Sequence, residues 1–150
     1  TRNLKPCSTS QIKLTQSSFV VYNDVKPYID IVAKRLNQLG LSETKAKYLV
    51  ENYGRQTDQI LSTLELQKEF SELSLLMAQL DFCLQNEMIC SLQDFLVRRT
   101  GLMYFEINLV KENLLAIGHE MKIKIGWSDK KFDLELAQIN LLIKNITTFE

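Results

Sequence analysis

Asn86-Glu87-Met88-Ile89-Cys90-Ser91-Leu92-Gln93-Asp94-Phe95-Leu96-Val97-Arg98-Arg99-Thr100 reads as the end of one helix, a capped turn and the body of a second helix. Before it, Leu73, Leu76, Met77, Leu80 and Leu84 recur at the three- and four-residue steps of a single helix face, and the spacing predicts a helix over roughly 71–89. Ser91 and Asp94 have the spacing of a capping box. The serine hydroxyl can take the amide three residues on, while the acid reaches back to the serine amide. Leu92, Phe95 and Leu96 then form the inner face of the second helix, and Gly101 stops it. Helix, joint and helix, with no alternation of period two, decide the fold class as all-α.

Two charges in this stretch break the apolar pattern. At about 100° per residue, Glu87 falls in the stripe of the first helix and Arg99 at the centre of the inner face of the second. Burying either charge alone is costly, whereas a hydrogen-bonded pair is tolerated. The planar fork of arginine suits a two-pronged carboxylate contact. We therefore expect Glu87 and Arg99 close together and partly buried, against the alternative that Arg99 extends its head to solvent. Arg98 stands four residues after Asp94, acid first, the spacing of a solvated helix pair. The competing reading gives Arg98 or Arg99 an anion or a partner's carboxylate.

Outward from the joint, helical punctuation continues in both directions. Asn23 or Asp24 can cap a helix whose first turn holds Pro27 and whose Tyr28, Ile31, Val32 and Leu36 repeat at helical spacing, with Gly40 at its end. Ser42 opens a second helix carrying Ala46, Leu49, Val50 and Tyr53, ended by Gly54, and Thr57 opens a third with Ile60, Leu61 and Leu64. Downstream, Asn108 can cap a long helix that stops at Gly126, and Ser128 opens a last one with Phe132, Leu136, Ile139, Ile143 and Ile146 on its inner stripe. Residues 1–22 lack such signals; Pro6, Ser8, Thr9 and Ser10 read as irregular, and Phe19–Tyr22 is β-prone but isolated. The expected architecture is a compact multi-helix bundle of about six to seven helices over residues 23–150, preceded by an irregular linker or arm at residues 1–22 arriving from an upstream domain.

Composition narrows the function classes. At 150 residues and 45% hydrophobic, the chain can build one domain with a real core. Eighteen basic residues balance eighteen acidic ones, so no general field steers nucleic acid, and no nucleic-acid partner is expected. No apolar run approaches the roughly 20 residues of a transmembrane helix. Thr1 is not an initiator methionine, and the chain is expected to be a fragment of a longer protein. Cys7, Cys83 and Cys90 are odd in number and form no CxxC; they read as reduced cysteines in a cytoplasmic setting, with Cys83 and Cys90 packing as small apolar groups.

Catalytic signatures are missing. The five glycines are isolated, which excludes GxGxxG, a Walker loop and GxSxG. His119 has no Ser or Cys placed by sequence as its nucleophile and reads as a surface histidine. Lys122, Lys124, Lys130 and Lys131 around Gly126 read as a solvated helix end, against a phosphate-contacting patch. The expectation is therefore no catalytic, cofactor-binding or metal-ligating residue in these 150, and a structural or interdomain motif made of Glu87, Asp94, Arg98 and Arg99.

The 86–100 run resembles the "xEMxxTLEDxLxRRTRL" segment in the C-terminal helical domain of FAD-dependent glycerol-3-phosphate dehydrogenases. Glu51-Asn52-Tyr53-Gly54 is similar to the "xxYG" that ends an early helix there, and Ile125-Gly126-Trp127-Ser128 to the "LGW" before the last helix. The pieces occur in the same order and together span roughly residues 41–147. Departures are Gly101 after Arg-Arg-Thr, Gln79 and Gln85 at positions often charged, and Glu106 in place of an Asp.

The resemblance implies a parent enzyme that oxidises glycerol 3-phosphate to dihydroxyacetone phosphate and passes electrons through FAD to a quinone or, in some relatives, to oxygen. It implies that the FAD and substrate domains of the same chain are the partners of this region. A homodimer and a parent peripheral to the membrane fit the same resemblance. The fragment alone is then expected to be an accessory domain that neither holds FAD strongly nor turns over substrate. The alternative is a free-standing helical protein–protein interaction module.

Overall fold

A computed structural model describes residue 19 and residues 22–148. Among the described residues the secondary structure is helical throughout, with seven α-helices and no strand. The expected irregular arm, residues 1–22, lies almost wholly outside the described residues, as does Cys7. The chain divides into two compact units between Phe70 and Ser71.

The first unit holds α1 (Val25–Gln38), α2 (Lys45–Tyr53) and α3 (Thr57–Glu65). Tyr28, Val32 and Leu36 step by four along α1 and are buried, whereas Ile31, expected beside them, is 53% exposed at the edge of that stripe. Ala46, Leu49, Val50 and Tyr53 on α2 and Ile60, Leu61 and Leu64 on α3 complete this core, as their periodicity predicts. Gly54, with φ of 54°, lets the chain turn sharply out of α2, and the buried Thr57 hydroxyl donates back to the Leu49 carbonyl at 3.1 Å. Arg35 reaches from α1 to α3, with Asp58 at 2.7 Å and Glu65 at 2.9 Å. Arg55 stacks its guanidinium over Tyr28 at 4.8 Å and Phe19 at 5.2 Å. Burial, together with the neighbouring Asp58, pushes the Tyr28 phenol up to about 12.

The second unit holds α4 (Glu72–Asn86), a wide-turn π-helix (Asp94–Arg99), α5 (Leu102–Phe105), α6 (Ile107–Ile125) and α7 (Asp129–Thr147). α4 starts where Ser71 and Ser74 cap each other's amides, at 3.1 and 2.7 Å. It packs against α6 and the π-helix, and α6 packs along α7. α4 buries a broad face including Leu76, Gln79, Leu80, Phe82 and Cys83. Gly126, at φ of 79°, ends α6 with its amide and that of Trp127 both on the Lys122 carbonyl. The Ser128 hydroxyl then accepts the Lys131 amide at 3.3 Å and starts α7.

Three boundaries differ from the sequence expectation. α4 ends at Asn86 rather than near Ile89, because Glu87 leaves helical geometry and Met88 takes a left-handed φ of 54°. A short α5 precedes α6, buried through Leu102 and Met103 behind the left-handed Gly101. α6 consequently begins at Ile107, behind Glu106 rather than an Asn108 cap.

Candidate functional site

The joint at residues 87–100 concentrates the polar order of the second unit. Ser91 is the N-cap of the turn into the π-helix: its hydroxyl accepts the Asp94 amide at 3.0 Å, and its own amide donates to Asp94 Oδ2 at 3.0 Å. The Cys90 amide donates to the same oxygen at 3.1 Å, and Arg98 holds the other, Oδ1. A reciprocal cap of this kind is worth roughly 1 kcal/mol. Partial burial pushes the Asp94 carboxyl up, but hydrogen bonds from Ser91, Cys90 and Arg98 outweigh it and hold Asp94 at about 2.

Glu87 and Arg99 stand side by side, though not as the two-pronged pair expected from the sequence. Arg99 Nε lies 3.7 Å from Glu87 Oε2, while Nη2 donates to the Glu87 carbonyl at 3.0 Å. Glu87 is the C-cap of α4, where carbonyls lack helical partners. The guanidinium thus closes α4 from outside as well as facing the acid. Glu87 is 21% exposed at its side chain and Arg99 is 46% exposed, so only the acid is substantially covered. Glu87 Oε2 has no accessible surface and no hydrogen-bond partner. Arg99 turns outward because the segment is wound as a π-helix. Its wider turn moves the residue off the phase that α-helical spacing assigns.

Sequence reasoning missed two residues of this joint. Glu135 on α7 is 2% exposed; its Oε2 accepts the Leu92 amide at 2.8 Å, and its Oε1 pairs with Lys131 at 2.5 Å. It caps the first turn of the 92–99 helix from another helix. The available signal was its phase, since Phe132, Glu135 and Ile139 follow the i, i+3, i+7 pattern of the buried stripe. Thr100, 4% exposed, closes the far end, its hydroxyl and amide both donating to the Phe95 carbonyl, at 2.7 and 3.0 Å. Between them Leu92, Phe95 and Leu96 are fully buried.

Outside the joint, an open recess of about 480 Å³ lies between residues 87–90 and the side chains of Asp94, Arg98 and Arg99. Met88, at 91% exposure, and Arg98, 65% exposed at its side chain, stand at its rim. Cys83 is buried as expected, but Cys90 is exposed, because it sits in the turn rather than on a helix face. The hydrogen bond and charge of Asp94 push the Cys90 thiol up, which suppresses thiolate. His119 is exposed, its ring 4.7 Å from that of Phe132. Of the lysines near Gly126, Lys122 pairs with Asp129, Lys124 with Asp81 and Glu120, and Lys131 with Glu135. Three of the four lysines thus have an acidic neighbour. Among the described residues no three His, Cys, Asp or Glu side chains converge as metal ligands, and no helix is long and apolar enough to cross a membrane.

These features define an all-helical domain whose chief polar constellation is a joint between helices, with two arginines offered at its rim. The profile of the family described as the C-terminal domain of alpha-glycerophosphate oxidase matches residues 7–132. The chain is 25% identical over 146 residues to the aerobic glycerol-3-phosphate dehydrogenase of Bacillus subtilis (strain 168), covering 95% of this chain and 26% of that protein. Against the enzyme of the same name from Staphylococcus haemolyticus (strain JCSC1435), identity is 25% over 144 residues, with 94% and 26% covered. The X-ray structure of the glycerol-3-phosphate dehydrogenase from Bacillus halodurans complexed with FAD matches with a TM-score of 0.69 at 25% identity, over 81% of this chain and 25% of that one. The chain belongs to the family of C-terminal domains of alpha-glycerophosphate oxidase, and it spans about a quarter of the length of the relatives it matches.

Proposed function

We propose that this chain is the helical accessory domain of an FAD-dependent glycerol-3-phosphate dehydrogenase. Its parent oxidises glycerol 3-phosphate to dihydroxyacetone phosphate and passes the electrons through FAD to a quinone. The domain itself is non-catalytic and holds no FAD; its partners are the FAD and substrate domains of the same chain, and it contributes to a homodimer. The parent works in the cytoplasm, peripheral to the membrane. The observation that carries this reading is the family match over residues 7–132, which takes in the 86–100 joint whole. In that joint Glu87 and Asp94 serve as framework, and the exposed Arg98 and Arg99 face the preceding domains.

The test uses the full-length protein. Glycerol 3-phosphate oxidation with a quinone acceptor is measured for the parent, for Arg98→Ala and for Arg99→Ala, beside limited proteolysis. The expected result is an active parent and variants in which protease sensitivity between the domains rises while the Michaelis constant is little changed. A parent that carries flavin but leaves glycerol 3-phosphate untouched sinks the proposal. So does a stoichiometric flavin on the 150-residue chain alone.

A further inference from the structure

Two acids and two arginines line the recess beside the joint, but they are not equally offered. Asp94 and Glu87 are mostly covered, whereas Arg98 and Arg99 face solvent, so the open side of the recess is basic. Each guanidinium is also only partly engaged. Arg98 holds Asp94 through Nη1, and Arg99 holds the Glu87 carbonyl through Nη2. Arg98 Nε and Nη2 and Arg99 Nη1 donate no hydrogen bond among the described residues. Neither do the amides of Met88 and Ile89, in the turn that walls the recess. The acids thus position the arginines without using up their donors. Met88 stands exposed at the rim in a left-handed conformation that a side chain rarely adopts. The turn bears that strain and displays a flexible apolar side chain beside the spare guanidinium edges.

We infer that the recess receives an acidic side chain, aspartate or glutamate, from the preceding part of the parent chain, with Met88 packed on the apolar surface beside it. A guanidinium edge presents parallel N–H donors that match a carboxylate. Charge decides between oxyanions. The two acids and two arginines sum to zero, so a carboxylate leaves one uncompensated charge in the recess and a phosphate dianion leaves two. A second copy docked through this same patch about a two-fold axis sets arginine against arginine, because both acids are already engaged. This chain spans 26% of the Bacillus subtilis relative. On the accessory-domain reading above, from which this occupant follows, the remainder of the parent is a tethered neighbour, favoured over any free partner by its effective concentration.

Cys90 is a native probe of the recess, since it is exposed in this domain and lines the opening. Its alkylation by iodoacetamide is followed by peptide mass spectrometry in the full-length parent and in the 150-residue chain. The ratio of the two rates is read, in which changes to the thiol itself cancel. The wild-type parent should react several-fold more slowly than the chain alone. Arg98→Gln combined with Arg99→Gln should bring the ratio close to one, with a thermal melt showing that the chain still folds. Arg98→Lys keeps the charge without the fork and should fall between. Inorganic phosphate at matched ionic strength should leave Cys90 of the chain alone unaffected. Equal wild-type rates in parent and chain overturn the docked carboxylate, while glycerol 3-phosphate oxidation by the same parent tests the accessory-domain reading separately. A slow parent indifferent to the arginine variants overturns it too. Slowing by phosphate that the arginine variants abolish assigns the recess to a phosphate instead of a protein carboxylate.

Discussion

The Glu135 carboxylate accepts the backbone amide of Leu92, 43 residues earlier in the chain, at 2.8 Å and with almost no exposure to solvent. Helix starts expose amides that need acceptors, and here one of them is satisfied by a different helix. The joint is therefore held by α7 as well as by its own cap. Glu135→Leu removes the acceptor and leaves the Leu92 amide buried, so we expect a loss of about 2–3 kcal/mol, the range for a buried hydrogen bond to a charged group. Glu135→Gln keeps an acceptor oxygen and should lose about half as much. Urea unfolding curves at unchanged slope measure both. Equal losses for Leu and Gln would mean that the charge toward Lys131, rather than the Leu92 contact, matters.

Asp94 gives the joint an acid dependence. Its carboxyl lies at about 2 in the folded chain, below its ordinary range near 4. A folded-state pKa below the unfolded one contributes stability that is complete above pH 4 and is lost as the pH falls toward 2. Its side chain is 16% exposed, so water screens part of the effect, and about 1–2 kcal/mol is expected. Unfolding free energies measured from pH 5 to pH 2 should fall more steeply for the wild type than for Asp94→Asn. Parallel profiles would show that Asp94 does not titrate low.

The features legible in the sequence were the local ones. The caps at Ser91–Asp94 and Ser128 link amides and side chains three residues apart, and the stripes of α2 and α3 need only their own periodicity. Glu135, like Glu87, is an acid in phase with an apolar stripe. Its partner is a backbone amide, which no side-chain pattern advertises. Arg99 faces inward only on α-helical phase, whereas the segment is wound as a π-helix, a winding that its residue types do not announce. The end of α4 at a left-handed Met88 carries no glycine or proline signal in the sequence. Buried Gln79, its Oε1 without a partner, sits at a position where the resemblance leads one to expect an acid; nothing in the structure explains the replacement.

Cys90 tests the electrostatics of the joint from its surface. The thiol is exposed yet lies 3.4 Å from Asp94 Oδ2, and the carboxylate raises the cost of forming thiolate. Alkylation by iodoacetamide at pH 8 should therefore be slower than for an unstructured cysteine peptide, and several-fold faster in Asp94→Asn. Cys83 is buried and should stay unmodified until the unit unfolds. If Asp94→Asn leaves the Cys90 rate unchanged, the carboxylate is not what restrains the thiol.

Gly118 lies inside α6, where glycine is about 1 kcal/mol less favourable than alanine. The structure shows what offsets that loss. A Cβ at this position would stand 3.0 Å from Phe132 Cε2 and 3.3 Å from Leu136 Cδ2, so these α7 side chains would have to give way by a few tenths of an ångström. Phe132 is itself confined, with the His119 ring at 4.7 Å and Lys122 Nζ at 5.2 Å from its own. Gly118→Ala sets a helix-propensity gain against a methyl that Phe132 has to yield to, and should be close to neutral. Gly118→Val adds branches that cannot be absorbed and should cost about 2–3 kcal/mol. Combining it with Phe132→Leu removes the ring atoms that collide and should recover part of that loss, a coupling that a double-variant cycle of unfolding free energies reads directly. Strict additivity would show that the valine is resisted by something other than the α7 contact.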